Sequence, residues 1–267
     1  MITGNGTVGG ITGSGSLVVG NGSTTNTLTV VQPNASFTQG AVTVQSGATL
    51  NAGNNTVTLN TTAANALQIL GSGQLNLNGE MIINYQPGQD PITTIQQYLT
   101  SGYNNGAWNG PGLMSSDAQT LNNGLAYALG VVDYSQAPGF VSGLSSNQIE
   151  VKYTLVGDLD LNSFVNGIDF ARLATHFNDF DTNWVDGNVI YGSSIVNGVD
   201  FSQLAKNFGH IATTGASVTL SAADWAAFDA FEANEGVGGA VPEPTTMGLL
   251  AIGGAGLLAR RRRKAQR

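Results

Sequence analysis

Between Asp158 and Asp169, oxygen-bearing residues recur at the spacing that could hold a metal ion. Asp158, Asp160, Asn162, Phe164, Asn166 and Asp169 stand at positions 1, 3, 5, 7, 9 and 12 of one loop. Hard Ca²⁺ takes six to eight oxygens, and this spacing supplies them from side chains and from the main-chain carbonyl at position 7. The candidate ligands are Asp158, Asp160, Asn162, the Phe164 carbonyl and Asp169. The competing reading is a solvated acidic turn in which Asp169 only caps a helix. Ser163 occupies position 6, where glycine would make the sharp turn at least cost.

The segment C-terminal to the loop must position it. Val165-Asn166-Gly167-Ile168-Asp169-Phe170-Ala171-Arg172-Leu173-Ala174-Thr175-His176-Phe177 is repeated as Val196-Asn197-Gly198-Val199-Asp200-Phe201-Ser202-Gln203-Leu204-Ala205-Lys206-Asn207-Phe208, with eight of thirteen positions identical. In each copy the Asp can cap a helix whose Phe, Leu, Ala and Phe fall at i, i+3, i+4 and i+7, a stripe suited to packing one copy on the other. Ahead of the second copy, Asn188, Ile190 and Gly192 align with the first three ligands, with one extra residue before Val196. That loop is expected to have lost calcium and kept its packing role, leaving one Ca²⁺ site. With its EF-hand-like loop and duplicated helix, Val156 to His210 resembles a type I dockerin, which ends its loop with Asp. The resemblance implies calcium binding and, less directly, a cohesin-like protein partner.

The first ninety residues read differently. Ser16 to Val19, Thr27 to Val31, Ala41 to Val44, Thr56 to Leu59, Leu67 to Leu70, Gln74 to Leu77 and Glu80 to Asn84 are short runs, several alternating apolar and polar, separated by Gly, Asn and Ser. Each is too thin to bury its own face, which suggests stacked coils of a β-solenoid, with a β-sandwich as the alternative. Gly13-Ser14-Gly15-Ser16-Leu17-Val18-Val19 and Gly71-Ser72-Gly73-Gln74-Leu75-Asn76-Leu77 loosely resemble the autotransporter-type repeats of bacterial surface proteins. Gly4, Gly6 and Gly9 fit the dinucleotide-binding glycine spacing, but no strand precedes them and no helix comes after.

Asp90-Pro91 opens a helix faced by Ile92, Ile95 and Leu99. The segment around Trp108 is expected to be an aromatic-anchored loop closing the solenoid, with strands near Leu125 to Asp133 and Ile149 to Leu155. A further short helix starts after Ser221, which with Asp224 forms a capping box. The expected fold is mainly β. A β-solenoid spans 1–90, a mixed helix and strand capping region 91–155, the dockerin-like repeat pair 156–212, and a short helix with a Gly-rich linker 213–240. A sorting signal with a single C-terminal transmembrane helix spans 241–267.

That tail has three parts: Val241-Pro242-Glu243-Pro244, the apolar run Met247 to Ala259, and Arg260-Arg261-Arg262-Arg263-Lys264. An apolar run of this length reaches about 20 Å, short of the ~30 Å hydrocarbon core, and the basic cluster would stay on the cytoplasmic side. The tail closely resembles the PEP-CTERM sorting signal, which implies an exosortase-type membrane protease as partner and transient anchoring through the C-terminal helix. Met1-Ile2-Thr3-Gly4-Asn5-Gly6 lacks both a basic start and an apolar run, which conflicts with export and leads us to expect a mis-called start codon or a fragment that begins inside a repeat, with a cytoplasmic protein as the alternative.

Composition removes other functions. Only Lys152, Arg172 and Lys206 oppose 17 acids before Arg260, a balance that repels nucleic acid. There is no cysteine, and His176 and His210 have no zinc spacing. Glycoside hydrolysis needs two carboxylates flanking a groove. Residues 1–89 hold one acid, Glu80, and Asp90, Asp117, Asp133 and Glu150 are scattered. The sequence therefore points to a non-catalytic, exported structural or adhesive protein of the cell envelope or exterior. The alternative is a secreted polysaccharide-binding or polysaccharide-degrading protein that docks through the dockerin-like module, with cell-surface polysaccharide as a second class of partner.

Overall fold

The computed structural model describes residues 1–30, 37–61, 66–120 and 123–237. The first part of the chain runs through successive tiers. One tier supplies β1 (Gly6–Val8), β2 (Ile11–Thr12) and β3 (Ser16–Val19), and the next β4 (Asn26–Val30), β5 (Phe37–Gln39) and β6 (Ala41–Val44). A third supplies β7 (Ala48–Gly53), β8 (Thr56–Asn60) and β9 (Leu67–Ile69), and a fourth β10 (Gln74–Leu77) and β11 (Glu80–Asn84). Each strand pairs in parallel with the strand three places on, so that three sheets form, containing β1-β4-β7-β10, β2-β5-β8-β11 and β3-β6-β9.

The alternation in sequence explains the stacking. In β4 and β7 every second residue is buried, and Leu28, Leu50 and Leu75 lie in register, each at most 1 % exposed. Burying each leucine contributes about 1.5–3 kcal/mol, more than a strand of a few residues could gain alone. Polar side chains bond between tiers: Asn76 Nδ2 donates to Asn51 Oδ1 at 3.3 Å, and Asn84 Nδ2 to Asn60 Oδ1 at 2.8 Å.

Beyond β11, α1 (Ile92–Tyr103) starts with Ile92 N donating to Asp90 Oδ1 at 2.8 Å, one residue later than the sequence suggests. It buries Ile95 and Leu99 and lies across β12 (Gly112–Met114), which extends the first sheet beside β10. The approach is close: a Cβ on Gly102 would lie 1.7 Å from the Leu113 carbonyl oxygen. Trp108 is 2 % exposed and meets Tyr103 edge to face at 5.3 Å. A short helix, α2 (Ser116–Thr120), then leads to β13 (Tyr127–Asp133) and β14 (Gln148–Leu155). These two form an antiparallel pair, and β14 joins the edge of β11.

The remaining described chain is helical: α3 (Gly167–Thr175), α4 (Gly198–Asn207) and α5 (Ala222–Glu235). Phe170, Leu173, Phe201, Leu204, Ala205 and Phe208 are buried, whereas Ala174 and Phe177 are half-buried. The two copies touch through Phe170 and Phe201 at 6.4 Å, but Phe228 and Phe231 of α5 insert against both. The expected mainly-β architecture is thus a mixed α/β one, with three sheets and five α-helices among the described residues. None of those helices is long and apolar enough to cross a membrane, and the run 247–259 lies outside the described residues.

Candidate metal centre

The centre begins where β14 ends. Gly157 turns the chain with φ of 98°, and a Cβ there would fall 2.8 Å from Leu204 Cα, so α4 packs directly over the turn. Asn166 then caps α3, accepting from Ile168 N while the Asp169 carboxylate reaches back to Asn166 N at 2.9 Å. The other Asp169 oxygen accepts from Leu159 N at 2.7 Å and Asp160 N at 3.3 Å. The last residue of the loop thus closes onto its start.

This closure brings Asp158, Asp160 and Asp169 together, each offering a carboxylate oxygen within 4.8 Å of the others. Asp158 and Asp169 are fully buried and Asp160 nearly so. Burial raises all three carboxyls above the usual range, Asp169 well above it, and repulsion from neighbouring carboxylates adds to the rise at Asp158 and Asp169. Lys152 is the only cation acting on Asp158 and Asp160 in the described structure, and its ammonium donates to the Leu161 carbonyl. Three clustered acids facing one half-exposed amine form an anionic, oxygen-only donor set, the chemistry suited to a hard divalent cation.

The remaining sequence candidates sit beside this triad. Asn162 Nδ2 donates to Asp160 Oδ2 at 2.9 Å, and Asn162 Oδ1 accepts from Phe164 N at 2.8 Å. An amide flip would turn the Asn162 oxygen towards Asp160 and the triad. The Phe164 carbonyl accepts a long bond, 3.4 Å, from Asn166 Nδ2. Ser163 adopts φ of 72°, the left-handed region that a glycine at position 6 would enter without strain. Thr154 on β14 donates to Asp158, and Trp184 Nε1 donates to the Asp158 carbonyl at 2.8 Å.

The second loop repeats the frame without the first two carboxylates. Asp200 accepts from Asn197 N and Val189 N, both at 2.9 Å, as Asp169 does from Asn166 N and Leu159 N. Asn188 therefore occupies the place of Asp158, and Ile190 that of Asp160. Each loop pairs with the chain leaving the other helix: Gly209 N donates to the Val165 carbonyl at 2.8 Å, and Asn178 N to the Val196 carbonyl at 2.8 Å.

A second cluster, His176, Asp181 and Asp186, has no motif spacing in the sequence. Asp186 Oδ1 receives Arg172 Nε at 3.0 Å and the Arg172 Nη2 amine, and lies 3.3 Å from His176 Nε2. Asp186 is already paired with Arg172, so the cluster is an ion-pair network at the end of α3. The scattered acids also have structural partners. Asp133 accepts from the Tyr85 hydroxyl at 2.7 Å, Asp117 accepts from Asn78 Nδ2 at 2.9 Å, and Glu150 lies 3.9 Å from Lys152.

Residues 240–264 match the PEP-CTERM protein-sorting motif. The match spans Val241 to Pro244, the apolar run and the arginine cluster. No curated protein and no solved structure matches the chain. The chain therefore carries a PEP-CTERM motif, which implies export to the cell envelope or surface and processing by exosortase, a membrane protease.

Proposed function

We propose that this is a non-catalytic structural or adhesive protein of the cell surface, displayed after exosortase removes its tail. The sorting motif at 240–264 is the observation that carries the reading. In this account the run Met247 to Ala259 anchors the chain transiently, and Arg260 to Lys264 hold its end on the cytoplasmic side. The stacked parallel tiers serve as a short three-sided solenoid, with α1, β12 and the β13–β14 pair as its closing cap. The loop from Asp158 to Asp169 takes one Ca²⁺, held by Asp158, Asp160, Asn162, the Phe164 carbonyl and Asp169, while the second loop takes none. The dockerin-like pair acts as a rigid module within this chain.

Expression in a host that contains exosortase tests the export reading. Intact-mass measurement of surface-extracted protein should find the residues after about Pro244 missing. Mature protein that still carries Arg260 to Arg267 contradicts the proposal.

A further inference from the structure

We infer that the degenerate second loop and α1 form a binding cleft for a neutral oligosaccharide. The inference goes beyond the structural role. A cavity of about 600 Å³ lies between the exposed side of α1 and residues 182–194, within the roughly 300–1,000 Å³ range of small-molecule sites. Its second wall includes Asn188, Ile190 and Gly192, the same positions at which calcium ligands are missing.

The lining selects the class of ligand. Among the described residues, no Asp, Glu, Lys, Arg or His borders the cavity, although the chain carries 17 acids. A charged ligand would leave its hydration without gaining a counter-ion, and a nucleic acid would find no cation for its phosphates. What the walls offer are hydroxyls and carboxamides: Thr93, Gln97 and Ser101 from the helix, Thr182 and Ser194 from the loop. Such groups both donate and accept, as sugar hydroxyls do. The side chains of Thr93, Gln97, Ser101 and Ser194 have no hydrogen-bond partner among the described residues and remain free for a ligand.

The floor is of opposite character. Val131, Trp184 and Tyr191 lie beneath, with the two aromatic rings stacked at 6.0 Å. Their polar atoms are directed inward, Trp184 Nε1 to the Asp158 carbonyl and the Tyr191 hydroxyl to the Leu129 carbonyl. Trp184 and Val131 are buried, so the half-buried Tyr191 is what presents ring carbon from below, with hydrogen-bonding groups on both sides, matching a sugar ring with its C–H face and its hydroxyl rim.

The test uses the full chain in saturating calcium, titrated calorimetrically with cellohexaose, maltohexaose, mannohexaose and, as the acidic control, hexagalacturonate. At least one neutral hexasaccharide should bind saturably and independently of salt, with affinity falling about tenfold in Gln97→Ala and further in Thr93→Trp, which fills the cleft. Both positions are on the exposed side of α1, and circular dichroism verifies that the variants fold. The inference is overturned if no neutral hexasaccharide binds at millimolar concentration. Wild-type affinity in both variants, or preference for hexagalacturonate, also overturns it.

Discussion

Glu150 lies on the central strand of an antiparallel trio, 6 % exposed, and burial raises its carboxyl to about 7. Lys152, 3.9 Å away, opposes the shift, while Glu80 and Asp158 reinforce it. Between its ordinary value of 4.5 and about 7 the folded protein holds a proton that the unfolded chain has released. Stability from this group is therefore fully present below about 4.5 and is lost as pH rises through about 7, by at most ~3 kcal/mol. In urea unfolding with saturating calcium, which on the proposed site would keep the triad ionised, Glu150→Gln should flatten the decline across that window. Parallel wild-type and variant curves would show that Glu150 does not titrate there. Ser163 offers a second test at this scale, because its φ of 72° costs a non-glycine residue about 1–2 kcal/mol, partly offset in glycine by greater unfolded-state entropy. Ser163→Gly should raise thermal stability by about 0.5–1 kcal/mol, and an unchanged or lowered midpoint would mean that the turn is not strained.

Elements differ in how openly the sequence declares them. The repeat pair was legible because an Asp and a helical apolar stripe coincide twice, but the caps are Asn166 and Asn197, with Asp169 and Asp200 reaching back from the third helical position and not capping as the sequence suggests. Strands such as β4 and β8 were legible from alternation. β5 and β7 escaped the sequence reading: Ala48-Thr49-Leu50-Asn51-Ala52-Gly53 alternates, but its small residues and turn formers weaken the strand signal, which the leucine ladder from neighbouring tiers completes. α5 shows its capping box in sequence, yet nothing local reveals that Phe228 and Phe231 close the Phe170 and Phe201 pair. The contact of α1 with β12 is likewise tertiary. Gly102→Ala would drive a methyl group into the Leu113 carbonyl, and overpacking of this kind costs about 1–3 kcal/mol. A Gly102→Ala midpoint equal to wild type in chemical denaturation would show that α1 can lift from β12 without cost.

At the scale of the whole molecule, the first loop connects the sheet-rich and helical parts. Thr154 reaches it from β14, Lys152 holds its Leu161 carbonyl, Trp184 holds its Asp158 carbonyl, and Asp169 begins α3. The sequence disclosed the spacing of the clustered carboxylates in this loop but not these bonds, since Trp184 is 26 residues from Asp158. Without a cation, three buried carboxylates repel one another at the junction, so calcium should stabilise the entire fold and not the loop alone. Binding contributes about 2.7 kcal/mol when free calcium stands a hundredfold above Kd. Calorimetric titration of the full chain with Ca²⁺ is the most direct test. One site with Kd near 10⁻⁴ to 10⁻³ M, the range of extracellular calcium modules, should appear, vanish in Asp158→Ala and persist in Asn188→Ala. Two equivalent sites, or no heat at millimolar calcium, would contradict the account.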